Sequence, residues 1–134
     1  MHETWINYWA VLAAAASNFV IGGIWYSPPL FVKPWLRMSG VSEATFNKGL
    51  PKALIGDVVV SLLMAFALAC ILESVDGTPT EGLLVSAGIW LGFVATTMLG
   101  SVTYEHKPIA YFLINAGYRL ASLLVMGAIL SLWR

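Results

Sequence analysis

The sequence predicts an all-α fold, an integral membrane bundle of four transmembrane helices in a single domain spanning residues 1–134. Of the 134 residues, 59% are hydrophobic and only 10% are charged. A soluble domain is typically about 45–50% apolar and about 25% charged. The apolar residues fall into four stretches, each about as long as a helix must be to cross a bilayer, roughly 20 residues. Because hydrocarbon offers no water to unpaired backbone groups, these stretches should be helical.

Each predicted span is bounded by a proline, a turn residue or a charge. We place the spans at about 5–26, 52–73, 82–104 and 109–133. The segments between them are Ser27-Pro28-Pro29 through Pro51, Asp76-Gly77-Thr78-Pro79, and Glu105-His106-Lys107-Pro108. Since the charged residues lie almost entirely in these segments, the pattern argues against a soluble bundle of buried helices.

The connector between the first two spans is long and amphipathic. Its apolar residues, among them Phe31 and Trp35, alternate with basic ones, and Ser42 offers an N-cap for a short helix through about Lys48. Such a segment is typical of an interfacial helix whose basic residues face lipid phosphates, although a plain solvated loop is the alternative. The residues predicted at the interface are Trp25, Tyr26, Lys33, Trp35 and Arg37.

The basic residues also predict an orientation. Lys33, Arg37, Lys48, Lys52 and Lys107 all lie in connectors on one side of the predicted spans, whereas the other side has only Arg134. By the positive-inside rule, the side with five basic residues faces the cytoplasm and both termini lie outside.

Polar residues recur inside the spans at one depth. The helical rise places them about 9–16 Å from the cytoplasmic boundary. Polar groups in hydrocarbon are costly and usually face the bundle interior. They could fix helix register through hydrogen bonds, or line a cavity that binds an ion, a proton or a polar ligand. We prefer the first interpretation. We also predict an ion pair between Asp57 and Arg119, the two charged residues of the set. This predicted polar layer consists of Asn18, Asp57, Thr96, Asn115 and Arg119.

Small residues recur along the third span at a spacing of four, at Gly88, Gly92, Thr96 and Gly100. This spacing makes a smooth groove where another helix can approach closely. We expect the groove to pack inside the chain, with an oligomer interface as the alternative.

The motifs, in order, resemble a known family. They are Trp25-Tyr26-Ser27-Pro28 with Phe31, Lys33 and Trp35; Trp90-Leu91-Gly92-Phe93; Asn115-Ala116-Gly117-Tyr118; and Gly127-Ala128-Ile129-Leu130 with Trp133. Together they are similar to the bacterial domain-of-unknown-function 1761 (DUF1761) family. The resemblance implies a small four-helix membrane protein of the bacterial inner membrane, with no established reaction and no catalytic residues to carry over.

The sequence offers no enzyme signature. It has no phosphate loop and no nucleophile elbow, and with Cys70 as its single cysteine it has no cysteine pair. Its zero net charge argues against nucleic acid as a binding partner. We expect no cofactor and no metal, since His2 and His106 are predicted on opposite sides of the bilayer. The predicted function is a non-enzymatic packing or accessory subunit, a homo-oligomer or part of a larger membrane complex. The alternatives are a small transporter or channel and, more distantly, a membrane enzyme using Asp57, or Glu105 with His106.

Overall fold

The computed structural model describes residues 6–75 and 78–133, and within these ranges the chain forms five helices and no strand. The N-terminus, Asp76, Gly77 and Arg134 lie outside the described residues, so the sequence arguments that used Arg134 and His2 concern that part of the chain. The helices are α1 (Tyr8–Trp25), α2 (Val32–Ser39), α3 (Glu43–Val75), α4 (Pro79–Thr103) and α5 (Ile109–Leu132).

Four of these helices, α1, α3, α4 and α5, are long and apolar enough to cross a membrane. This confirms the prediction of an all-α chain with four apolar helices. Polar side chains cap the N-termini of α1 and α4. Asn7 Oδ1 accepts from the backbone N–H groups of Trp9 and Ala10, and Thr78 Oγ1 accepts from the N–H of Glu81. Each cap satisfies donors that the first helical turn leaves without an intrahelical partner.

The third helix corrects one boundary of the sequence analysis. Instead of a short helix through Lys48 and a separate span, α3 is one helix of 33 residues with Pro51 inside it. At 1.5 Å per residue it is about 50 Å long, well beyond the bilayer's hydrocarbon thickness. Ser42 is its N-cap as predicted, because Ser42 Oγ accepts from the Thr45 N–H at 3.1 Å. A proline removes one intrahelical hydrogen bond and bends a helix without having to end it.

The last helix, α5, is the centre of the packing. It contacts α1, α4, α3 and α2, whereas α3 and α4 touch each other little. The apolar core lies where α1, α3 and α5 meet, and its fully buried members include Ala14, Ala65 and Met126. Alanine on facing helices lets their backbones approach closely, so contact is achieved without large side chains.

The closest approach of α4 to α5 uses small residues on both helices. A Cβ built on Gly127 would overlap the hydroxyl of Ser86, and one built on Gly82 would overlap the hydroxyl of Ser131. Gly82 and Ser86 form one pair at a spacing of four, and Gly127 and Ser131 form the other. These residues, not the predicted groove, are the small-residue contact between α4 and another helix of the chain.

Three residues of the predicted groove, Gly88, Gly92 and Thr96, are turned away from α5, whereas Gly100 is half-buried. Gly88, Gly92 and Thr96 are exposed, and a Cβ on either Gly88 or Gly92 would have no neighbour within 4 Å. The cause is helical rotation: Gly88 follows Ser86 by two residues, which is about 200° around the helix axis. The expectation that this groove packs inside the chain is therefore corrected, and these three residues lie on the outer surface.

Candidate functional site

A buried hydrogen-bond network joins α1, α3 and α5, and we call Asn18, Ser61, Tyr118 and Ser122 the buried network. Asn18 is 0% exposed. Its Nδ2 donates to Ser61 Oγ at 2.6 Å, and its Oδ1 accepts from the hydroxyls of Ser122 and, at 3.2 Å, of Tyr118. Hydrogen-bonded polar groups avoid the free-energy penalty of burial without a partner, so the network links three helices at a fixed register.

Local sequence spacing explains why these side chains meet. Asn18 lies one turn beyond Ala14 on the buried face of α1, and Tyr118 lies one turn before Ser122 on α5. Residues four apart share a helix face. Gly22 leaves room for the ring of Tyr118, since a Cβ there would lie 2.9 Å from the phenol oxygen. The sequence analysis assigned Asn18 to the polar layer but quoted Tyr118 only as part of a family motif, although its spacing to Ser122 could have placed it on the same helix face.

Next to the buried network, the ends of α1 and α5 are joined by a second set of hydrogen bonds. The hydroxyl of Tyr26 donates to Asn115 Oδ1 at 2.6 Å. Burial raises the pKa of the Tyr26 phenol above its ordinary value, so this hydroxyl stays protonated and able to donate at neutral pH. The indole of Trp25 donates to the Ile114 carbonyl at 2.9 Å, which positions the two predicted interfacial residues against α5.

The short helix α2 folds back onto this region, which we call the α2 end of the molecule. Trp35, one of the predicted interfacial residues, is half-buried against the bundle. Its ring centroid lies 6.0 Å from that of Tyr26, 5.7 Å from Phe46 and 6.5 Å from Tyr111. Aromatic burial is more favourable here than exposure because three rings from α3, α5 and the end of α1 surround the indole.

Two further features complete the α2 end. The basic side chains Lys33 and Arg37 point outward from α2. Lys107, in the connector before α5, donates from Nζ to the Ser39 carbonyl at 2.9 Å. A cation that bonds the last carbonyls of a helix stabilises its C-terminus, so Lys107 holds α2 in place. Gly40 follows with φ of 80°, the left-handed conformation that glycine adopts readily.

The charged members of the predicted polar layer do not form the expected ion pair. Asp57 and Arg119 are both half-buried. Within the described part of the chain no carboxylate oxygen lies within 4.0 Å of a lysine or arginine nitrogen. Arg119 instead places Nη1 3.4 Å from Met64 Sδ and its guanidinium carbon 4.7 Å from the ring centroid of Tyr118.

Thr96 is the member of the predicted layer that the structure separates from the rest. It is exposed, and its hydroxyl donates to the Gly92 carbonyl of its own helix at 2.9 Å. This bond falls beside a π-helical segment, Trp90–Ala95, in which the wider turn disrupts the regular backbone ladder. At the start of that segment the Trp90 indole donates to the Ala116 carbonyl at 2.8 Å, which holds α4 against α5.

An open cleft of about 410 Å³ lies between the end of α4 and the beginning of α5. Its lining is mainly aromatic and hydroxylic, with one carboxylate. Within the described ranges no three histidine, cysteine or acidic side chains are close enough together to hold a metal ion. The residues around the cleft are Thr97, Met98, Gly100, Ser101, Tyr104, Glu105, Tyr111, Phe112 and Asn115.

The fold and these contacts define a class: a small all-helical protein with four apolar helices long enough to span a bilayer, joined by buried hydrogen bonds. The sequence model of a family described as "Protein of unknown function (DUF1761)" matches residues 9–131. The chain belongs to the DUF1761 family, as its motifs predicted. No curated protein and no solved structure matches it.

Proposed function

We propose that the protein is a non-enzymatic accessory subunit of the bacterial inner membrane, a four-helix bundle that associates with other membrane helices. The observation that carries the proposal is the state of the buried network. Asn18 is fully buried and bonds at both its amide nitrogen and its amide oxygen. A polar group used in this way stabilises helix packing and is not free to bind or transform a substrate.

The outer surface supports association. Gly88 and Gly92 expose a smooth strip on α4 with no atom within 4 Å of a Cβ position, and exposed Thr96 continues it. Small residues at this spacing let a second helix approach closely in a bilayer, where van der Waals packing drives association. We therefore propose that this strip contacts a second copy or a larger membrane complex.

The charge distribution supports an orientation with the α2 end in the cytoplasm. Lys33 and Arg37 are exposed on α2 and point outward from it. Basic side chains at this level attract the anionic lipids of the cytoplasmic leaflet. Under the proposal, α2 lies along that surface while Trp35 holds it against the bundle.

The test is assembly in mild detergent. Gly92→Leu should reduce oligomer size or partner retention on size-exclusion chromatography with light scattering, without lowering thermal stability, because nothing inside the chain contacts Gly92. Gly23→Leu is the matched control: this glycine of α1 is also exposed and also has no neighbour within 4 Å. A tagged wild type that is monomeric and carries no partner would overturn the accessory role.

A small transporter is the second candidate, and Asp57 and Arg119 favour it. Charged groups within a span often mark a substrate or ion path. Purified protein in liposomes would then move protons or a solute, and Asp57→Asn would abolish that flux. A wild type that moves neither would leave the accessory role as the remaining candidate.

A further inference from the structure

The open cleft between the end of α4 and the beginning of α5 has a lining of one charge sign. Of the nine residues that line it, Glu105 is the acidic one, and no lysine, arginine or histidine is among them. Within the described residues Glu105 forms no ion pair, so its carboxylate is available to a ligand. The volume of about 410 Å³ lies within the range of sites for small organic molecules, about 300–1,000 Å³.

Aromatic rings form much of the lining. Tyr104 is exposed, and its ring lies against the last turn of α4, with Cδ2 3.9 Å from the position of a Cβ on Gly100. Tyr111 and Phe112 are half-buried on the first turn of α5, and Tyr111 is held by Trp35, at 6.5 Å between ring centroids. Within the described chain the three lining rings make no contact with one another, which leaves them available to a molecule in the cleft.

The cleft also contains an unused hydrogen-bond donor. Asn115 lies one turn beyond Tyr111 on the same face of α5 and is the lining residue of that helix farthest from the connector. Its Oδ1 accepts from the Tyr26 hydroxyl at 2.6 Å, whereas its Nδ2 has no acceptor among the described residues. The cleft therefore presents a carboxylate beside the connector and an N–H donor further along α5.

The connector that carries Glu105 is fixed against the last turn of α4. The Glu105 N–H donates to the Gly100 carbonyl at 3.3 Å, and the Lys107 N–H donates to the Ser101 carbonyl at 2.9 Å. His106, between them, has φ of 57°, a left-handed conformation that is uncommon in residues other than glycine. Backbone held in such a conformation is frequent at ligand-binding sites, and here it positions a carboxylate on a cleft lined by aromatic rings.

We propose that this cleft binds an organic ammonium ion, with the cationic group between Glu105 and the three lining rings and a hydrogen-bonding oxygen at Asn115. The faces of aromatic rings attract cations, and the carboxylate adds a charge of opposite sign. This inference goes beyond the proposed accessory role, because it concerns a small ligand at the connector and not a second helix on the outer strip of α4.

Other ligands fit the lining less well. An anion would be repelled by Glu105 and would meet no basic residue in the lining. A metal ion such as Ca²⁺ needs six to eight oxygen ligands, and one carboxylate is a poor start. Lys107 Nζ lies 5.8 Å from the centroid of the Tyr111 ring, but this ammonium donates to the Ser39 carbonyl and Lys107 does not line the cleft.

Ammonium groups occur in free molecules and in lipid headgroups, so the experiment has two arms. Both use the chain in a sugar-headgroup detergent, which carries no ammonium group. In the first arm, the wild type is titrated by calorimetry with choline and with its neutral tert-butyl analogue, in which carbon replaces nitrogen. We expect choline to bind at least about tenfold more tightly, since cation–π attraction and one carboxylate together contribute about that much.

The second arm tests the headgroup as the source. Equal amounts of phosphatidylcholine and phosphatidylglycerol with the same acyl chains are added, and native mass spectrometry measures which lipid the protein retains. The wild type should retain a higher proportion of phosphatidylcholine than Glu105→Gln does, because the two lipids differ only in the headgroup beyond the phosphate. A preference in the first arm identifies a free ligand, and a preference confined to the second identifies a lipid.

Variants distinguish this cleft from general attraction of cations. Glu105→Gln should lose most of the preference for choline, whereas Glu81→Gln, which removes the same charge in the first turn of α4, should bind like the wild type. Tyr104→Leu should weaken choline binding about threefold, and Tyr104→Phe, which keeps the ring, should retain it. Tyr104 is 87% exposed, so neither change disturbs the packing of the helices.

The proposal would be overturned by equal or absent binding of choline and its neutral analogue together with no lipid preference. A Glu105→Gln protein that keeps the full preference would overturn it as well. If Glu105→Gln does not fold, the wild-type titrations and the two Tyr104 variants decide. Oligomer size and partner retention test the strip on α4 separately, so the accessory role and the ammonium site can fail independently.

Discussion

The side chain of Asn18 links three helices, α1, α3 and α5, by hydrogen bonds. One amide accepts from Tyr118 and Ser122 and donates to Ser61, so no other side chain of the buried network can replace it. The sequence made Asn18 recognisable because it is a polar residue in an apolar stretch. Tyr118 was not recognisable in this way, because tyrosine is equally common at a membrane interface and in a core.

Asn18→Ala should lower the free energy of unfolding by about 1–3 kcal/mol, because it leaves buried hydroxyls without their partner. Ser17→Ala is the control, since Ser17 bonds only the Ala14 carbonyl of its own helix. Unfolding of both variants in mixed micelles, followed by tryptophan fluorescence, gives the comparison. Equal stability of the two variants would show that the buried network contributes little.

The helical rise assigns each residue a level along its span, but it does not predict the direction in which the side chain points. The helical rise placed Asn115 and Thr96 at similar levels. Asn115 accepts a hydrogen bond from Tyr26 of another helix end, whereas the exposed Thr96 hydroxyl donates to a backbone carbonyl of its own helix. The charges of Asp57 and Arg119 did not predict where their side chains point either. Asp57 and Arg119 were expected to pair because they were the charges within reach, but the structure shows no ion pair between these two described residues.

At the scale of elements, the existence of the long helices was predictable and their details were not. Composition and length fixed four apolar spans, but the pattern around Pro51 favoured a break where α3 continues. The π-helical segment Trp90–Ala95 has no sequence signal comparable to a proline or a cap. The small residues that pack α4 against α5, spaced by four on each helix, were present in the sequence. The longer predicted groove of small residues on α4 was more conspicuous and was chosen instead.

Gly127→Ala should destabilise the α4–α5 contact by about 1–3 kcal/mol, the usual range for overpacking, because the new methyl group would overlap Ser86. Gly92→Ala makes the same chemical change on the outer face and should be neutral. Thermal unfolding in detergent measures both. If Gly92→Ala is the more harmful to the isolated chain, the assignment of the packing face of α4 is incorrect.

At the scale of the whole molecule, the basic residues gather at the α2 end. We test the orientation with single cysteines at Lys48 and Thr80, both exposed, in a Cys70→Ala background. An impermeant thiol reagent applied to intact cells should label position 80, and position 48 only after the membrane is opened, because the basic end remains inside. Labelling of position 48 alone in intact cells would reverse the orientation.

The central position of α5 has a consequence for the order in which the chain matures. The ribosome makes α5 after α1, α3 and α4, yet all three pack against it. Asn7 at the start of α1 also donates to the Trp133 carbonyl just after the end of α5, at 3.2 Å. Until α5 is inserted, Asn18 lacks two of its three hydrogen-bonding side chains, and Gly82 and Ser86 face no helix. The earlier helices are therefore incompletely bonded until α5 is made, and the synthesis of α5 is the step that completes their packing.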